Sequence, residues 1–155
     1  MTTDTDITIS RLQDEIRRDP KRAKVTLKAR ASSTQETVRP EVDRVQHVLE
    51  ALAGSLTATY RHFAAALDIP LIDVEIRVEA GIDLHGLAAV LEGVRAGPGS
   101  LRVEARLTST ADIYALERLR ITVERHDPVL DLLRLATPTR LEISINLREN
   151  NSLAA

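Results

Sequence analysis

From Glu41 to Asp68 the chain reads EVDRVQHVLEALAGSLTATYRHFAAALD, a stretch that cannot stand alone in water. Val45, Val48, Leu49, Leu52, Leu56 and Phe63 recur at helical spacing and form one broad apolar stripe. The other side is largely alanine, with few charges after Glu50. A helix this apolar all round must be covered on several sides, so it sets the centre of whatever fold the chain adopts. Asp68-Ile69-Pro70 ends it.

The flanking segments carry the other period. Val74, Ile76, Val78 and Ala80 alternate with Asp73, Glu75, Arg77 and Glu79, and Leu101, Val103, Ala105 and Leu107 alternate with Arg102, Glu104 and Arg106. The same pattern marks Val25 to Ala31 and Leu141 to Leu147. Alternation of this kind predicts half-buried strands, each with one wet face. Between the two middle strands, LHGLAAVLEGVRAGPGS holds four of the six glycines and reads as a loop with room for one helical turn. A first helix is expected within residues 1–22, where Ile9, Leu12 and Ile16 keep helical spacing up to Asp19-Pro20. A further helix is expected over ADIYALERLRITVERHDP, opened by Asp112, interrupted by Pro128 and continued briefly by PVLDLLRLA. Residues 148–155 form a tail expected to fray. The order of elements is not a steady β-α alternation, so the expected class is α+β: one domain over 1–155, with an antiparallel sheet and the long helix across its dry face.

Composition narrows the function classes. Two tyrosines, one phenylalanine and no tryptophan leave a core of Leu, Ile, Val and Ala, the kind that a second copy of the chain can complete. A net charge of −2 offers no global attraction to nucleic acid, and the basic run from Arg11 to Arg30 lacks stacking aromatics, so it reads as a solvated face. No apolar run is long enough to span a membrane, and MTTDTDITIS lacks the plan of a signal peptide; the expected compartment is the cytoplasm. The absence of cysteine excludes disulfides, thiolate metal sites and thiolate catalysis. His47, His126, Asp127 and the Asp83-Leu84-His85 stretch match no zinc spacing, and GPG at 97–99 precedes a strand rather than a helix. No metal and no cofactor are expected.

Three stretches, HVLEALAGSLTATYRHFAAALDIPLIDVEIRVEAGIDLHG, GPGSLRVEARLTST and ALERLRITVERHDPVLDLLRLATPTRLEISI, together resemble the OsmC/Ohr family of bacterial organic-hydroperoxide and osmotic-stress proteins. The resemblance runs from about Val42 to Ile145 in the family's order. It implies an OsmC-like antiparallel sheet, a buried central helix and an intertwined homodimer with sites at the subunit interface. It also implies a peroxidatic cysteine on the central helix and a resolving cysteine at the end of the second one. On this chain those positions hold Ser55, in ALAGSL, and Asp127, in HDPV. The carboxylate that family members carry at the start of the helix is missing from Arg44-Val45-Gln46, and the family's active-site arginine has no assignable counterpart.

Peroxide reduction of that type needs one thiolate to attack the O–O bond and a second thiol to resolve the sulfenate. Serine and aspartate can do neither, so the expectation is a protein that is not a thiol peroxidase. What remains is a small apolar ligand at the dimer-interface pocket or an interaction role. One alternative is hydrolase-like chemistry by Ser55, His126 and Asp127 at that pocket; another is a stress-response protein acting through a partner. A triad is disfavoured, because an aspartate rarely orients its own neighbour. For the two replaced positions themselves, Ser55 is expected to bond back to the carbonyl one turn earlier, and Asp127 to be exposed at a turn.

Overall fold

The computed structural model describes Asp14, residues 17–19, 43–135 and 138–143. Asp14, Arg17 and Arg18 have helical backbone, and Asp19 does not. The rest of the expected first helix, the strand expected at 25–31 and the tail at 148–155 lie outside the described residues.

Helix α1 spans Asp43–Ala66, followed by strand β1 (Leu71–Gly81), the short helix α2 (Leu84–Leu87), strand β2 (Ser100–Ser109), helix α3 (Ile113–His126) and helix α4 (Pro128–Arg134). The long helix, both middle strands, the single helical turn between them and the break at Pro128 follow the periodicities of the sequence. Leu52, Leu56, Tyr60 and Ala64, spaced by four along α1, form the buried stripe with Leu119 and Val123 of α3, Leu130 of α4, Val74 of β1 and Ile69. Leu52, Leu119 and Val123 have no exposed surface, so truncating any of them leaves a cavity. α1 stops without glycine. Asp68 takes a left-handed φ of 53°, its N–H bonds the Ala65 carbonyl and the Ile69 N–H bonds that of Ala64, which satisfies two terminal carbonyls.

Among the described residues β1 and β2 form a two-stranded antiparallel ribbon with Val74 opposite Leu107, Ile76 opposite Ala105, Val78 opposite Val103 and Ala80 opposite Leu101. On the wet face Glu75 lies opposite Arg106, Arg77 opposite Glu104 and Glu79 opposite Arg102. A slip by two residues in either direction would set glutamate against glutamate and arginine against arginine. Charge pattern and apolar pattern therefore select the same register.

Two expectations need correction. α1 packs on β1, α3 and α4, but no described helix packs on β2. Leu101, Val103 and Ala105, expected to face a core, are exposed, and so is Val48 on the first half of α1. Residues 138–143 form no strand, and Leu141 and Ile143 are exposed, because no described strand lies alongside to bond them. The remainder of that expected strand lies outside the described residues.

The loop between the strands depends on one glycine. A side chain at Gly86 would put Cβ 2.2 Å from the Arg95 carbonyl oxygen and 2.7 Å from that of Val94. Both obstacles are backbone, so Gly86→Ala must displace the 94–95 segment. The expected cost is about 1–3 kcal/mol, as for other overpacked sites. Denaturant unfolding checks this, with Gly97→Ala as the control, since a Cβ at Gly97 meets nothing within 4 Å.

Candidate functional site

Ser55 and Thr59 stand one turn apart on the same side of α1, turned toward the junction of α3 and α4. Asp127 fills that junction. Pro128 keeps it out of helical conformation (φ −76°, ψ 119°) and opens α4 at its first position, where a missing N–H costs nothing. The Asp127 side chain is then the N-cap of α4: Oδ1 accepts from the N–H groups of Val129 (3.1 Å) and Leu130 (2.8 Å). Oδ2 accepts from Ser55 Oγ at 2.9 Å and Thr59 Oγ1 at 2.8 Å. Asp127 is completely buried. Four donors occupy its two oxygens, which is how a carboxylate is held in a protein interior without a cation beside it.

The sequence brings up Ser55 and Asp127 as a pair, and the fold puts them in contact across 72 residues of chain. Their individual readings change. Ser55 does not bond back along its helix, because a stronger, charged acceptor lies within reach of its hydroxyl. Asp127 is not exposed at a turn, because the two hydroxyls and two amides supply inside the protein what water would supply outside. Thr59, the third side chain of this cluster, is missed by the sequence reading. Its only signal is that it lies four residues after Ser55.

His126 does not join them. It is exposed, its ring packs on Phe63 with centroids 5.6 Å apart, and it makes no hydrogen bond to Ser55 or Asp127. A serine nucleophile needs a base with a free acceptor site. Here the atom facing Ser55 Oγ is a carboxylate oxygen that it shares with Thr59, while the other oxygen caps α4. The cluster is a clasp between α1 and the α3–α4 junction.

A large concave feature among the described residues lies elsewhere. A trough of about 1030 Å³ opens where α1 leaves β2 uncovered. Val48, Leu49 and Leu52 of α1 line it, with Val103 and Leu107 of β2 and Leu116 of α3. Neither Ser55 nor Asp127 is among the described residues that line it. The serine–histidine–aspartate alternative, disfavoured from the sequence, gains no support from this arrangement: Ser55 meets Asp127 away from the trough and His126 joins neither.

Near Leu56 the apolar wall gives way to Tyr60, Glu117, Arg120 and Glu124. Arg120 holds Glu117 in a two-pronged pair (Nε–Oε2 2.9 Å, Nη2–Oε1 2.5 Å) and also pairs with Glu124. The i, i+3 and i, i+4 spacing of these residues is visible in ERLRITVE, but their relation to Tyr60 is not. Tyr60 is only 4% exposed and its hydroxyl has no hydrogen-bond partner among the described residues. Burial, reinforced by Glu124, pushes its ionisation above the ordinary tyrosine value, while Arg120 opposes the shift. With Tyr114→Phe, Tyr60 is the sole tyrosine, and its absorbance is expected to titrate above that of the same chain in denaturant, about 10. The folded state holds the Tyr60 proton more tightly. This contribution to stability is complete below the unfolded value and lost as pH rises through the folded one.

Among the described residues no three histidine, aspartate or glutamate side chains converge to hold a metal ion, and no helix is long and apolar enough to cross a membrane.

No protein-family model matches the sequence, and comparison with curated proteins gives no match. Solved structures do match. An OsmC-like protein from Mycoplasma pneumoniae aligns over 68% of this chain and 69% of its own, with 17% identity and a TM-score of 0.52. The chain has the OsmC-like fold. An OsmC-like hydroperoxide resistance protein from Jannaschia sp. CCS1 aligns over 76% of this chain and 75% of its own, again at 17% identity, with a TM-score of 0.51. In this OsmC-like chain, which has no cysteine, the helix-borne serine and the aspartate at the α3–α4 junction make a closed polar contact behind the trough wall.

Proposed function

We propose that this chain is an OsmC-fold binding protein and not a thiol peroxidase, working as a homodimer whose subunits meet over the trough. One observation carries the reading: Ser55, where the resemblance places a peroxidatic cysteine, donates to Asp127, where it places the resolving one, at 2.9 Å. The contact spends both groups on holding the fold. Nothing in it is a thiol that a peroxide could oxidise, and the carboxylate that the serine contacts is shared with Thr59 and with the cap of α4.

The trough supports the binding role. An apolar hollow of about 1030 Å³ flanked by the exposed Val48, Leu101, Val103 and Leu133 is more than a lone chain gains from leaving open. A second copy covering the rim while a small apolar molecule fills the floor would remove that surface from water. The same apolar face explains how a core with so few aromatics can suffice.

Native mass spectrometry of the purified protein tests this. The expected spectrum shows twice the chain mass with a small molecule that is released on denaturation. A bare monomer at micromolar concentration would contradict it.

A further inference from the structure

We infer that the Tyr60 end of the trough is a hydrogen-bonding subsite for the uncharged carbonyl oxygen of a long-chain aliphatic ketone, ester or amide. This rests on the reading of the trough as a ligand site.

Tyr60 carries a polar group that the described fold leaves without a partner. Tyr60 belongs to the buried stripe of α1 and is 4% exposed, yet it lines the trough. Every fully buried side-chain oxygen or nitrogen among the described residues has a partner. The Tyr60 hydroxyl has none among them, so it is not fully closed off, and Tyr60 is one of the residues that line the trough. Buried tyrosines usually satisfy their hydroxyl; water can do so while the trough is open, and an occupant that displaces that water must offer an acceptor in its place.

The surroundings select the ligand's head. Three charged side chains act on the hydroxyl: Glu124, Arg120 and Glu117. Arg120 is committed to both carboxylates. Two negative groups against one positive make this end hostile to a carboxylate or phosphate head, although the trough as a whole is bordered by arginines. The tyrosine remains a donor, so the complementary group is a neutral acceptor. A carbonyl oxygen fits, and a hydroxyl-free alkyl chain does not use the site.

The tail is set by what leads away from Tyr60. Leu56, Leu52, Leu49 and Val48 follow along α1, facing Leu107, Ala105 and Val103 of β2. From Tyr60 back to Val48 the helix covers about 18 Å at 1.5 Å per residue. No described charge lines that stretch of α1. The occupant is thus a linear chain with its oxygen near one end.

Three probes of equal length separate the possibilities: 2-undecanone, undecane and undecanoate, titrated by calorimetry into the Tyr114→Phe protein while the absorbance of Tyr60 is followed. The expected result is binding of 2-undecanone with a shift in the Tyr60 spectrum, roughly 2–12-fold tighter than undecane, the range for one added hydrogen bond. Undecanoate should bind more weakly than the ketone. Tyr60→Phe, which keeps the ring's volume, should bring the ketone down to the alkane and leave the alkane unchanged. If ketone and alkane bind alike and Tyr60→Phe alters neither, the trough takes ligands but the subsite is overturned. Tighter binding of undecanoate would overturn it as well. If none of the three binds to the dimer, the ligand reading itself fails, and the second copy fills the trough alone.

Discussion

Asp127→Ala is expected to cost about 3 kcal/mol and to lower the unfolding midpoint by about 10 °C, the larger single-residue effect outside the apolar core. The substitution removes the N-cap of α4, worth about 1 kcal/mol in ordinary helices and up to about 2. It also strips the acceptor from Ser55 and Thr59 in a place where Thr59 is nearly inaccessible to water. The two hydroxyls recover part of the loss by turning back to carbonyls of α1, as Thr57 already does toward Ala53. Asp127→Asn separates the contributions. Its carbonyl oxygen keeps both amides of α4, and its NH2 can donate to hydroxyls that now accept. The expected cost is about 1 kcal/mol, since the cap survives. Chemical denaturation of the three proteins checks the order wild type, Asn, Ala. Equal stability of Ala and wild type would mean that the carboxylate is not holding the junction.

Joining the two helices covalently gives the second large effect. Ser55→Cys with Asp127→Cys is expected to form a disulfide within one chain under oxidised glutathione. The native side chains meet at 2.9 Å through Oδ2, one bond beyond the position a cysteine sulfur would take at 127. The two sulfurs must therefore close that extra gap to reach a bond of about 2 Å, and the crosslink tests whether α1 and the α3–α4 junction are near enough to allow it. The crosslink closes 72 residues of chain, and the loop-entropy relation gives about 4 kcal/mol for a loop of that length. The oxidised double variant should therefore unfold well above its own reduced form. Against wild type the gain is smaller, because the clasp of Asp127 is gone. Either single variant, run alongside, should show no such response to oxidant within one chain. Failure of the double variant to crosslink would mean that the backbones at 55 and 127 lie farther apart than their hydrogen bond implies.

The parts of this molecule written in local sequence were legible before the structure. Periods of 3.6 and 2 place α1, β1 and β2, and Asp112 reads as standing near the start of α3, where the structure makes it the cap that accepts from the Ala115 N–H at 2.9 Å. Pairing Ser55 with Asp127 came from the resemblance, since nothing local links residues so far apart. What the sequence could not convey was the direction in which each group points. Alternation in β2 says that Leu101 and Val103 share a face, but not that α1 would cover β1 and leave that face open. Asp-Pro signals a turn and a helix start equally, and only the approach of α1 decides that the carboxylate is buried. Tyr60 is similar. Its position on the apolar stripe marks it as core, whereas its open hydroxyl depends on the trough that α3 and β2 shape around it.

Consumption of cumene hydroperoxide in the presence of dithiothreitol tests the central claim most directly. A chain in which Ser55 and Asp127 form a structural clasp, and which has no cysteine, should show no turnover above the buffer blank at any enzyme concentration. Turnover that rises in proportion to the wild-type protein would contradict the account.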